Sequence, residues 1–233
     1  MAQFSTMLAA ARLFGLGATA ALMVPSSVEA FVYRFGETSL SSNSTATGAA
    51  AVLEFDFQDL DSNRIQLDLT VTNTTGVESF GSGATTSKLT GVAFDLPEGI
   101  SLISRQLGQQ LDTLLKEVSV APFGSGFDLA LADNNNFLGG NANQALAQGE
   151  RDRVALVLTG EDTAVGLRSR FAQAFASGEL RAVTRFQQVN AGAGSDKLLG
   201  GTVITDEPAR VNEPGLVAGL AAISIALRRR RRA

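Results

Sequence analysis

Polar and apolar positions alternate strictly through the middle of the chain. In "AAVLEFDFQDL", Val52, Glu54, Asp56 and Gln58 interleave with Leu53, Phe55, Phe57 and Asp59, a period of two with one apolar face. "RIQLDLTVTN" repeats the pattern with Ile65, Leu67, Leu69 and Val71 facing inward. The "QDLDSN" between them is a turn, so the two segments predict an antiparallel hairpin. "KLTGVAFDLPEG" predicts a third strand, ended by Pro97 and Gly99, and "RVALVLTGE" another. "SLISR", "KEVSVA" and "FDLALAD" carry weaker strand patterns. In "LRAVTRFQQV" the series Leu180, Val183, Phe186 and Val189 changes phase, as it would around a bulge.

One segment departs from this period. "AVGLRSRFAQAFASGEL" spaces Val165, Leu167, Phe171, Ala174 and Phe175 as one face of a helix, and Gly178 is placed to end it. "RQLGQQLDTLLK" suggests a second short helical turn, while "ETSLSSNSTATGAA" is small and polar and reads as a loop or flexible lead-in. Many short strands separated by Gly, Asn and Asp turns predict a mainly β domain, an antiparallel β-sandwich with one or two short helices, over residues 31–205.

Composition narrows the chemistry. The 233 residues contain no cysteine and no histidine, which excludes disulfides, thiol nucleophiles, zinc–thiolate sites and imidazole bases. The formal charge is −4, but without the run Arg228–Arg232 fourteen basic residues face twenty-three acidic ones, a balance of −9. Such a body is poorly suited to nucleic acid, and no nucleic-acid partner is expected. Tryptophan is absent and tyrosine occurs once, at Tyr33, so sugar stacking on aromatic rings is disfavoured; the fourteen phenylalanines read as core.

Both ends read as addresses. Residues 1–30 have the form of a secretory signal helix: Arg12 is its positive charge, Leu13–Val24 its apolar stretch and Pro25 its breaker. Val28 and Ala30 sit where signal peptidase reads compact side chains, and a cut after Ala30 leaves Phe31 first. At the other end, Gly215–Leu227 would make a hydrophobic helix about 20 Å long. That is short against a hydrocarbon core of about 30 Å. Arg228, Arg229, Arg230, Arg231 and Arg232 would resist translocation and hold the tail on the cytoplasmic side of the inner membrane.

A Glu-Pro motif, then a small-residue-rich apolar segment, then a terminal arginine cluster resembles the PEP-CTERM sorting signal. Over residues 206–233, Glu213 and Pro214 match the last two motif positions; Asn212, preceded by Val211, replaces the first proline. The resemblance implies recognition by an exosortase, a multi-pass membrane enzyme of Gram-negative bacteria that often make exopolysaccharide. It also implies a precursor anchored at the inner membrane, then cut near the motif and passed to the cell surface or medium. The β-rich body is more loosely similar to the ectodomains of such proteins.

Candidate chemistry within the body is sparse. Asp56–Asn63 offers oxygen ligands at alternate positions, but Arg64 stands where an EF-hand needs glycine and Thr70 where a bidentate glutamate belongs, so a hairpin turn is expected. The polar loop Asp133–Gln144 would coordinate a cation or contact a glycan, or simply close one end of the sandwich. Asn190–Gly201 is glycine-rich without the Gly-Lys-Ser/Thr ending of a phosphate loop, and reads as an exposed turn. Carboxylate pairs are abundant by number alone and none stands out for hydrolysis. Asn43-Ser44-Thr45 and Asn73-Thr74-Thr75 match the glycosylation sequon.

These patterns lead to an expectation of a non-enzymatic, exported envelope or matrix protein without cofactor or metal. Its partners would be signal peptidase, exosortase, the inner membrane and exopolysaccharide. A polysaccharide- or cation-binding module is the alternative, and a carboxylate-pair hydrolase the third.

Overall fold

The alternating segments form the longest strands of a computed structural model that describes residues 30–205, apart from 62, 135, 136 and 138–141. In chain order the strands are β1 (Phe31–Phe35), β2 (Leu40–Ser41), β3 (Ala51–Asp61), β4 (Arg64–Asn73), β5 (Lys88–Phe94), β6 (Ser101–Gln106), β7 (Thr113–Val118), β8 (Phe127–Ala132), β9 (Leu146–Ala147), β10 (Arg151–Thr159), β11 (Ala182–Gln187), β12 (Asp196–Leu199) and β13 (Thr202–Ile204). Helix α1 (Ala164–Ser177) lies between β10 and β11.

Every pairing is antiparallel. One sheet has the order β13-β1-β3-β4-β10-β6; the other runs β2-β12-β11-β5-β8-β7, with β9 beside β5. Residues from both sheets and from α1 share one core, an arrangement consistent with a β-sandwich. The β3–β4 hairpin pairs Leu53 with Val71, Phe55 with Leu69 and Phe57 with Leu67, all fully buried, while Glu54, Asp56 and Gln58 face outward. A period of two on a sheet with one wet face therefore fixes the register; a slip by one residue would bury the carboxylates.

Phenylalanine makes this core. Phe31 stacks on Phe55 with centroids 4.6 Å apart, and Phe171 and Phe175 of α1 approach Phe57 and Tyr33 at 5.4 and 4.9 Å. Such pairs add about 0.5–1.5 kcal/mol each beyond the area they bury. The helix begins at Thr163, whose hydroxyl accepts from Gly166 N, while Asp59 Oδ1 accepts from Ala164 N at 2.8 Å. Gly178 ends it in the left-handed region at φ 76°, as its position in the sequence predicts. Val165 is a correction: it is 58% exposed, and Ala164 and Ala172 take the buried positions beside Leu167, Phe171 and Phe175.

Three other expectations change. "RQLGQQLDTLLK" is not helical: Arg105 and Gln106 end β6, Thr113 starts β7, and the loop between them is held by Asp152. A 3₁₀ turn at Ala142–Gln144 is the second short helix instead. The lead-in 37–50 is the expected loop apart from β2, but it is held in place, because buried Asp196 accepts hydrogen bonds from Thr47 N, Thr47 Oγ1 and the hydroxyls of Ser41 and Ser42. That same residue opens β12, so Asn190–Gly201 is a turn only in its first half. The phase change in "LRAVTRFQQV" is a register shift between Arg185 and Phe186, followed by Gln188 at φ 49°.

Candidate functional site

The six-stranded sheet turns an alternating polar face to solvent, and at its β10–β6 end this face becomes a groove of about 660 Å³. Its floor is one cross-strand row: Glu54 on β3 lies opposite Thr70 on β4, which lies opposite Arg153 on β10. Its wall is the loop 107–110, and Gln106, Arg151 and Asp152 complete the lining.

Asp152 builds the wall. Position 152 falls on the inward phase of β10, where the flanking 154, 156 and 158 are Val, Leu and Leu. Its buried carboxylate accepts from the backbone N–H groups of Gln109, Gln110 and Leu111 at 2.8–3.1 Å and from Arg153 N at 3.0 Å. A side chain at position 108 would collide with this carboxylate, so glycine is required there by close approach. Asp152 therefore commits its carboxylate to the protein's own amides while it lines and shapes the groove. Arg153 in turn is paired with Asp68 at 2.7 Å, and Gln66 Nε2 donates to the same carboxylate.

A second opening of about 390 Å³ lies between the edge strands β6 and β7, lined by Pro97–Leu102, Lys116, Glu117, Asp128 and Leu129. Asp128 Oδ2 is committed to Leu96 N at 2.7 Å. Glu117 adopts φ 52°, a conformation few residues with a Cβ take up.

Phe137, which follows β8, is buried against the outer face of the seven-stranded sheet, close enough to β5 that a Cβ on Gly91 would come within 2.7 Å of its ring. Asp133 is 4% exposed; its Oδ1 accepts from Asn134, and its Oδ2 has no hydrogen-bond partner among the described residues. Burial raises the Asp133 carboxyl above the usual carboxylate range, with Arg185 partly opposing the shift. Burial also lowers Arg185, whose Nη1 donates to Phe137 O, and Lys197, whose Nζ donates to Ala121 O. Arg185 and Lys197 are direct cross-strand neighbours, and their mutual repulsion adds to the lowering of Lys197.

The other predicted positions resolve plainly. In the hairpin turn, Asp61 is bound by Arg64, which holds its exposed carboxyl below the usual range, and Asp59 caps the helix. Among the described residues no three carboxylates converge to hold a metal ion. Asn73 of the second sequon is buried, donating to Ser87 O and Leu146 O, so it is a structural tie. Ala30 is half-buried and Phe31 fully buried. Val28, the motif Val211–Pro214, the apolar run 215–227 and Arg228–Arg232 lie outside the described residues. Among the described residues no helix is long and apolar enough to cross a membrane.

Two residues that shape the polar sites, Asp152 and Gly108, carry no motif. The only hint at Asp152 is a carboxylate on the apolar phase of a strand, which implies local amide partners. No family profile, curated protein or solved structure matches this chain.

Proposed function

We propose that the chain is an exported, non-enzymatic envelope protein. Its C-terminal segment holds it at the inner membrane until an exosortase releases it, and its β-sandwich then associates with exopolysaccharide at the cell surface. The observation that carries this reading is the segment order. A signal-like stretch and a Glu213-Pro214, apolar, arginine-rich tail bracket one β-sandwich whose first strand opens at Phe31, the residue after the expected cut. β1 also pairs with β13, Val32 opposite Ile204, so residues 30 and 205 lie at the same end of the described body.

The polar groove supports a binding role over hydrolysis. Of the two carboxylates in its lining, Glu54 and Asp152, the second is committed to four backbone amide donors; Asp56 and Asp68, opposite each other on β3 and β4, lie outside the lining, and Asp68 is tied to Arg153 and Gln66. A glycosidase needs its two carboxyl groups across a cleft, with room for the sugar between them.

The test is the intact mass of the protein recovered from cells with and without the exosortase. Loss of both ends, the second cut near Glu213-Pro214 and dependent on the enzyme, is the expected result. Full-length protein with both termini in the cytosolic fraction would overturn the proposal. Retention of the arginine tail would make it a membrane-anchored protein and point to Asn212 as the block to processing.

A further inference from the structure

The groove on the six-stranded sheet has a chemistry that names its ligand more closely. We infer that it binds a neutral, hydroxyl-rich polysaccharide strand laid across β3, β4, β10 and β6; this rests on the association with exopolysaccharide proposed above. The geometry gives the reach. From Glu54 to Gln106 the groove spans three inter-strand steps of about 4.8 Å, roughly 14 Å in all, which suits a short run of sugar rings rather than a single small molecule.

The lining gives the class. Glu54, Gln106, Gln109, Gln110, Arg151 and Arg153 all end in planar carboxylate, amide or guanidinium groups. Each offers two parallel acceptors, two donors or one of each, the pattern that meets adjacent hydroxyls on a sugar ring. Apolar ligands find little here, because Leu107 is the one large apolar side chain in the lining.

Charge separates neutral from acidic polymers. The lining holds two carboxylates, Glu54 and Asp152, against two guanidinium groups, Arg151 and Arg153, and Arg153 is also paired with Asp68, so the groove carries no excess positive charge for a polyanion. The body as a whole is acidic, so it repels a polyanion at longer range. The wall is preformed, since Asp152 holds three consecutive amides of loop 109–111, and binding need not order it. Among the described residues no aromatic ring lines the groove, so affinity rests on hydrogen bonds and is modest at a single site.

Affinity electrophoresis of the purified full chain reads such weak binding directly. The probes are dextran, linear β-glucan and galactomannan as neutral polymers, with polygalacturonate as the acidic one. At least one neutral polymer is expected to retard the protein, and Arg151→Ala with Gln110→Ala should weaken that retardation about tenfold. Lys116→Ala, in the other opening, should leave it unchanged, and matched melting curves for all variants show that the fold is intact. Absence of retardation by every neutral polymer would overturn the inference, as would retardation by polygalacturonate alone or retardation that survives the double substitution. Sorting is read separately by the mass of the chain ends, so a failed groove and a failed sorting proposal are distinguishable.

Discussion

The two sheets solve burial differently. The six-stranded sheet has one wet face, and its central strands read buried, half-buried, buried along their length. The seven-stranded sheet is covered on both faces: β5 and β8 are almost continuously buried, because Val120, Phe123 and Phe137 from its own loops pack over Ala93, Ala130, Ala132 and Val183. The first sheet can therefore carry polar side chains into solvent and build a groove. Cations on the second, Arg185 and Lys197, are instead pressed under loops and lose solvation. A face left open by the chain is available for a ligand; a face covered by the chain's own loops contributes stability.

The largest test of this contrast is a pair of truncations, compared by chemical denaturation. Phe55→Ala, at the centre of the shared core, should cost about 4 kcal/mol, within the usual range for a buried phenylalanine. Phe137→Ala should cost about half as much, since a surface loop can settle into part of the space. Equal costs would show that the outer cluster is as integral as the inner one.

Next in size is Asp196→Ala, which strands the buried Thr47 N–H and hydroxyl that its carboxylate receives. A loss of about 3 kcal/mol is expected, together with faster hydrogen exchange over 41–50. Little change in exchange would mean that the lead-in holds itself.

Tyr33 supplies a pH test of the inner core. Burial raises its hydroxyl from 10.0 to about 12, so above pH 10 the unfolded chain releases this proton while the folded one keeps it. The contribution is fully present below pH 10 and is lost as pH rises towards 12, about 2 to 3 kcal/mol in total. Tyr33→Phe should flatten the fall in stability between pH 10 and 12; an unchanged slope would assign it to other groups.

Gly91→Ala asks whether the cover over the second sheet can yield. The added Cβ meets the Phe137 ring at 2.7 Å and Leu131 O at 3.0 Å, and about 1–3 kcal/mol is expected. Smallest of all is Glu78→Gln, which removes the exposed pair with Arg34 and should change stability by less than about 0.5 kcal/mol, less still in high salt.

The sequence by itself determined the β3–β4 hairpin, β10 and the helix with its glycine stop, because each has a local period matched to its environment. It also determined the charge balance and the chemistry excluded by missing cysteine and histidine. Tertiary structure alone decided the rest. The continuous apolar runs of β5 and β8 become intelligible only when Val120, Phe123 and Phe137 are seen covering their outer face. The loop 107–111 looked helical because its leucines have helical spacing, but a carboxylate more than forty residues away takes its amides. The lead-in 37–50 looked flexible because its residues are small and polar, yet Asp196, some 150 positions on, satisfies its donors from inside the protein. The groove follows the same rule. Its lining comes from β3, β4, β10 and the loop after β6, and hydrogen bonds between residues far apart in sequence leave no periodic trace in any one of them.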